Sequence, residues 1–166
     1  MTEEQTPQAG AEAEAQQGQP PLVINAQYVK DFSFENPNSP KILLEQKEPP
    51  AVQINVDVKT AKLSDTVYEV SLNIQAQAKS NAETAFLCEL VYAGVFTIKG
   101  IPEEQLQPVL LIECPRLLFP FARAVIADAT REGGFAPLLI HPIDFAGLYL
   151  KQRQSEATEA APQQAS

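Results

Sequence analysis

The sequence predicts an α+β domain in which an antiparallel sheet is built first and helices are added last. Three observations carry this. Between Leu22 and Lys99 apolar and polar residues alternate with period two, the pattern of strands with one wet face. Short segments rich in Asn, Pro and Ser separate these runs, so successive strands turn back on one another. After Gly100 the apolar spacing changes to three and four residues, the period of a helix.

The first strand is Leu22–Glu35. Ile24, Ala26, Tyr28 and Lys30 alternate with Asn25, Gln27 and Val29; Phe32 and Phe34 then alternate with Asp31, Ser33 and Glu35. Asn36-Pro37-Asn38-Ser39-Pro40 ends it as a turn cluster. An apolar patch, Ile42-Leu43-Leu44, follows in an irregular stretch closed by Pro49-Pro50; its side chains are either tucked under the loop or exposed for a ligand. Val52, Ile54, Val56 and Val58 mark a second strand, and Thr60–Thr66 reads as a polar turn. Tyr68, Val70, Leu72 and Ile74 mark a third, running from Val67 to Ala78. The fourth, Thr84–Lys99, places Phe86, Cys88, Leu90 and Tyr92 on one face and Leu87, Glu89, Val91 and Ala93 on the other. A strand with apolar residues on both faces points to self-association, because a two-layer domain covers only one side of its sheet.

Pro102-Glu103-Glu104 opens a helix, with proline in the first turn and acids at the positive end of the dipole. Helical spacing continues to Arg131, and Gly133-Gly134 stops it. Pro115 and Pro120 each remove an intrahelical bond and should kink or break this run. A second helix is expected from Pro142 to Arg153, with Phe145, Leu148 and Tyr149 on one face.

The chain has 166 residues, long enough for one domain with a substantial core, and its 12 Lys and Arg against 21 Asp and Glu give a net charge of −9. This balance disfavours nucleic acid and anionic membrane surfaces as partners, since both are held by basic side chains. Residues 1–21 carry four of the acids and residues 154–166 carry two, with no base in either segment. Both ends are poor in large apolar residues and are expected to be disordered tails around a domain spanning residues 22–153. No apolar run reaches the roughly 20 residues of a membrane span, and the N-terminus lacks the pattern of a secretory signal. A cytoplasmic protein with free thiols and no direct membrane insertion is expected.

Little chemistry is available. His141 is the single histidine and has no partner motif, Cys88 and Cys114 form neither a C-x-x-C nor a metal-ligand cluster with it, and no phosphate-binding glycine loop is present. The residues disfavour an enzyme, call for no cofactor and favour a binding protein. A thiol-dependent enzyme and a small-ligand binder remain as alternatives from other classes.

Five strings in order now acquire significance: Tyr28–Asn38, YVKDFSFENPN; Val67–Val70, VYEV; Glu83–Glu89, ETAFLCE; Cys114-Pro115 with Leu118–Arg123, LFPFAR; and Gly134–Leu138 with Pro142–Phe145. Together they resemble SecB, the bacterial protein-export chaperone family, over roughly Ile24 to Arg153. The resemblance implies a four-stranded antiparallel sheet with two helices, the first long and unbroken by its prolines, and assembly as a homotetramer, a dimer of dimers. It implies an ATP-independent chaperone that holds unfolded precursor proteins in apolar grooves and passes them to the SecA ATPase. A SecB-like chaperone dedicated to one client, such as an antitoxin, is the alternative within the same fold.

The same resemblance implies roles for individual positions. Asp31, Glu35, Leu87 and Glu89 match the acidic surface on which SecA docks. Cys88, Leu90 and Tyr92 match positions of subunit association. Ile42, Leu43 and Leu44, with Phe145 and Leu148, are the expected client groove. Some relatives carry a tryptophan in that crossover loop, whereas this chain has none.

Overall fold

The computed structural model describes residues 21–160. Four strands, β1 (Leu22–Glu35), β2 (Ala51–Lys62), β3 (Val67–Ser80) and β4 (Glu83–Ile98), form one antiparallel sheet in the order β1-β4-β3-β2. The last three strands are joined by tight turns. The segment between β1 and β2 carries the chain from one sheet edge to the other and contains a short helix, α1 (Lys41–Glu45). Two amides of the turn cluster fix its start: Asn36 Nδ2 donates to the Gly133 carbonyl at 2.8 Å and Asn38 Nδ2 to the Thr84 carbonyl at 2.9 Å.

β2 runs on through the expected turn to Lys62, because β3 offers Val70, Glu69 and Tyr68 as partners for Thr60, Ala61 and Lys62. Within β1, Ile24 pairs with Phe96 and Ala26 with Val95, and Val29 pairs with Tyr92 and Asp31 with Val91. Asn25 and Lys30 are therefore extra residues, each forming a β-bulge that reverses the alternation. Tyr28, Lys30 and Phe32 do not share the single face that simple alternation gives them.

The helices lie on one side of the sheet. A helical run proceeds from α2 (Glu103–Pro108) through a π-helical turn (Val109–Glu113) into α3 (Cys114–Glu132). In the π turn the Cys114 N–H donates to the Val109 carbonyl, five residues back. This wider turn lies between Pro108 and Pro115 and lets the helix continue where neither proline can donate. Pro120 sits inside α3 without ending it. Leu118, Ala122 and Ile126 are fully buried against Val70, Leu72, Ile74, Leu90 and Phe96 of the sheet. Gly94 permits the approach: a Cβ there would stand 2.9 Å from Leu118 Cδ2 and 2.8 Å from the Phe96 ring.

The last helix, α4 (Phe145–Glu159), starts three residues later than the sequence predicts, where Asp144 caps it by accepting from the Gly147 N–H at 3.0 Å. It also runs past Arg153, so residues 154–159 are helical and not part of a disordered tail. Composition misled here: Gln and Glu are too polar and Ala too small to form a core, but all three propagate an existing helix well. Ser155 and Thr158 return their hydroxyls to the Lys151 and Gln154 carbonyls, at 3.0 and 2.8 Å. The expected tails at 1–20 and 161–166 lie outside the described residues.

Candidate functional site

The two sides of the sheet differ in chemistry. Directly opposed residues of antiparallel strands point the same way. Asp31 opposes Val91, Ser33 opposes Glu89 and Glu35 opposes Leu87, so Asp31, Glu35, Leu87 and Glu89 share one face. It is the side away from the helices, since the intervening Cys88, Leu90 and Tyr92 are buried with Leu118 and Ile126. The rows continue across the sheet as Val91–Asn73–Asp57, Glu89–Gln75–Asn55 and Leu87–Gln77–Gln53. This outer face holds an open depression of about 530 Å³, with Lys30, Asp31, Asp57, Lys59, Asn73 and Glu89 among its lining residues.

Beside the depression, one carboxylate ties two strands together over a third. Glu69 of β3 accepts from Lys30 Nζ at 2.5 Å and from the Tyr28 hydroxyl, both of β1, across β4. The residue of β4 between Tyr28 and Ser71 is the small Ala93, which leaves space for that reach. The hydrogen bonds to Lys30 and Tyr28 hold the Glu69 carboxyl below its ordinary range. The same bond to Glu69 pushes the Tyr28 phenol up to about 12, with burial and the carboxylate charge acting in the same direction.

On the helix side, β2 presents Val52, Ile54, Val56 and Val58 in one row. A cleft of about 450 Å³ opens at one end, lined by Leu43, Pro50, Val52, Phe86, Phe135 and Leu138. Gly134 supports it, with φ of +90° and no side chain beneath Leu43. A second cleft, of about 280 Å³, opens at the other end between Val56, Val58, Leu111, Leu148 and Tyr149.

The expected groove residues are thus divided. Leu43 lines the first cleft and Leu148 the second, whereas Leu44 is 84% exposed and lines neither. Ile42 and Phe145 are core residues at 4% and 2% exposure; Phe145 packs edge-on against Phe119 with ring centroids 6.2 Å apart. Sequence reasoning missed the β2 row as part of this surface, although its alternation was legible. Cys88, Leu90 and Tyr92 are buried beneath the chain's own helices, Cys88 and Leu90 at 1% exposure. Exposed apolar residues on the same side of the sheet are Val29 and Phe32 of β1 and Leu117 and Phe121 of α3.

A small α+β domain with open apolar clefts on one side of its sheet and a carboxylate-bearing face on the other is built for binding extended or macromolecular partners. The family model "SecB: Preprotein translocase subunit SecB" matches residues 15–156. Protein-export proteins SecB of Rhodopseudomonas palustris and Methylocella silvestris are 48% and 51% identical to the chain. The first alignment covers 86% of this chain and 90% of the relative, the second 92% and 94%. Among solved structures, a SecB-like chaperone of Mycobacterium tuberculosis, in complex with a peptide from an antitoxin, superposes with a TM-score of 0.62 at 13% identity, covering 74% of this chain and 90% of that one. The chain belongs to the SecB family.

Proposed function

We propose that the protein holds unfolded precursor proteins in a translocation-competent state and delivers them to SecA, working in the cytoplasm as a homotetramer without catalysing a reaction. The observation that carries this reading is the apolar row of β2 with a cleft at each end, on the side of the sheet opposite Asp31, Glu35 and Glu89. Burial of apolar surface is non-directional and scales with area, so this row suits clients of many sequences. Folded proteins keep such surface hidden and are passed over. Leu43 and Leu148 are the groove residues of the expected set that reach a cleft.

The acidic face suits SecA. Its carboxylates would meet basic groups, giving fast association that weakens with salt. Self-association is assigned to the apolar patch of Val29, Phe32, Leu117 and Phe121, which no element of the chain covers among the described residues. The deciding experiment presents one slow-folding precursor in unfolded and folded form and measures the mass of each complex by light scattering. Capture of the unfolded form by a tetramer is expected. Equal affinity for both forms, or a monomer that ignores unfolded chains, would overturn the reading.

A further inference from the structure

We infer that Tyr28, Lys30 and Glu69 are positioning residues that pin the β1 bulge and so keep Asp31 and Glu35 on the same face as Glu89. The inference rests on the assignment of that face to SecA. Its basis is parity. Tyr28 opposes Ala93 and Asp31 opposes Val91, so both point away from the helices although they are three residues apart. In an unbroken ladder residues three apart point to opposite sides, and a slip of one position exchanges the faces of a whole strand. The extra residue Lys30 makes the exchange. Without it, Asp31, Ser33 and Glu35 would turn toward the helices and Phe32 and Phe34 toward solvent.

β1 is an edge strand, paired on one side only, so among the described residues no strand beyond it fixes the bulge. The tie comes from within the sheet. The bulge residue itself reaches over β4 to Glu69, and Tyr28, two residues earlier, holds the other oxygen of the same carboxylate. The second bulge is tied in the same manner, with Asn25 Nδ2 donating to Thr97 Oγ1 at 2.7 Å. The pair has an electrostatic effect as well. Lys30 stands next to Asp31, and Glu69 balances a positive charge that would otherwise repel a basic partner.

Three variants of the full-length protein test this: Tyr28→Phe, Glu69→Gln, and the exchange Lys30→Glu with Glu69→Lys. Two readouts are SecA affinity by calorimetry and the cross-strand contact between Asp31 and Val91 by NMR. Capture of an unfolded precursor reports that each variant is folded. Glu69→Gln is expected to weaken SecA binding by roughly tenfold and to diminish the Asp31–Val91 contact. Tyr28→Phe, which alters no charge, should do both to a smaller degree, and the exchange should restore both. Wild-type affinity in Glu69→Gln, no recovery in the exchange, or an Asp31–Val91 contact unchanged in every variant would overturn the inference. Failure of the wild type to bind SecA would instead remove the docking assignment, and the NMR contact would still decide whether the clamp sets the register.

Discussion

The rings of Tyr92 and Phe121 lie parallel, 6° apart, with centroids separated by 6.4 Å. Tyr92 is buried beneath this contact, whereas Phe121 is 49% exposed; the exposed Leu117 lies one turn earlier in α3, and the exposed Val29 and Phe32 of β1 oppose Tyr92 and Leu90. The pair marks where the core of the single chain gives way to surface that a second copy is proposed to cover. Phe121→Asp places a charge there and removes the stacking. Light scattering should show a fall from tetramer to smaller species, with the α+β circular dichroism retained. An unchanged mass would move the contact elsewhere.

Thr130 predicts a stability effect. Its hydroxyl is fully buried, lies 3.0 Å from the Ile126 and Ala127 carbonyls, and accepts from the Leu138 N–H at 2.8 Å. It therefore ties the end of α3 to the loop that lines the first cleft. Thr130→Val keeps the shape and leaves that N–H without its acceptor. A loss of about 1–3 kcal/mol is expected in urea denaturation, with weaker precursor capture at the Leu43 end.

The turn between β3 and β4 offers the opposite sign. Asn81 and Ala82 are its two central residues, with φ of 48° and 66°, and Ser80 pairs with Glu83. Asparagine and glycine adopt this geometry readily, whereas alanine is strained by about 1–2 kcal/mol. Glycine loses part of that gain through its greater freedom when unfolded. Ala82→Gly should raise stability by up to about 1 kcal/mol, seen as a higher denaturation midpoint at unchanged slope.

On the outer face, Glu89→Lys reverses a charge in the row Ser33–Glu89–Gln75. SecA binding should weaken and its salt dependence should flatten, because fewer opposite charges remain to be screened. Capture of unfolded precursor, on the other side of the sheet, should be unchanged. Loss of both activities would mean that the two faces are not separable.

The thiols set the response to alkali. Burial, reinforced by the Glu89 carboxylate, pushes Cys88 up to about 11; burial, reinforced by Glu113, pushes Cys114 up to about 12. An unfolded chain loses these protons near pH 9, while the folded chain keeps them, so the folded form binds more protons between the two values. Their contribution to stability is complete below about pH 9 and is lost as pH rises toward 11 to 12. Tyr28 acts in the same direction. The thermal midpoint should fall over this range, and less in a Cys88→Ala, Cys114→Ala variant compared with its own value at pH 8. At about pH 8 iodoacetamide should modify neither thiol until the protein unfolds; rapid labelling of the native form would contradict the burial.

Much of the fold was legible because its signals are local. Alternation located all four strands, and the change of period after Gly100 located the long helical run. That Leu87 and Glu89 share a face opposite Phe86 and Cys88 followed directly from parity along β4. β1 was less transparent: no glycine or proline marks its bulges, and the carboxylate that holds Lys30 is 39 residues away in sequence. The helix through Pro108, Pro115 and Pro120 was legible only through resemblance, since each proline alone argues for a break. Ile42 and Phe145 matched the apolar character of a groove, but composition does not say which of several neighbouring apolar residues face the core. Leu43 beside Ile42 shows how little separates the two fates.

A sheet one strand thick serves here as a partition. Along β4, Leu87 and Glu89 face one compartment while Cys88 and Leu90 support the other. On the proposed assignments, cargo and carrier approach opposite walls and share no atom of the protein. On those assignments neither must leave for the other to arrive, and transfer would proceed through a ternary complex instead of an exchange in which one displaces the other.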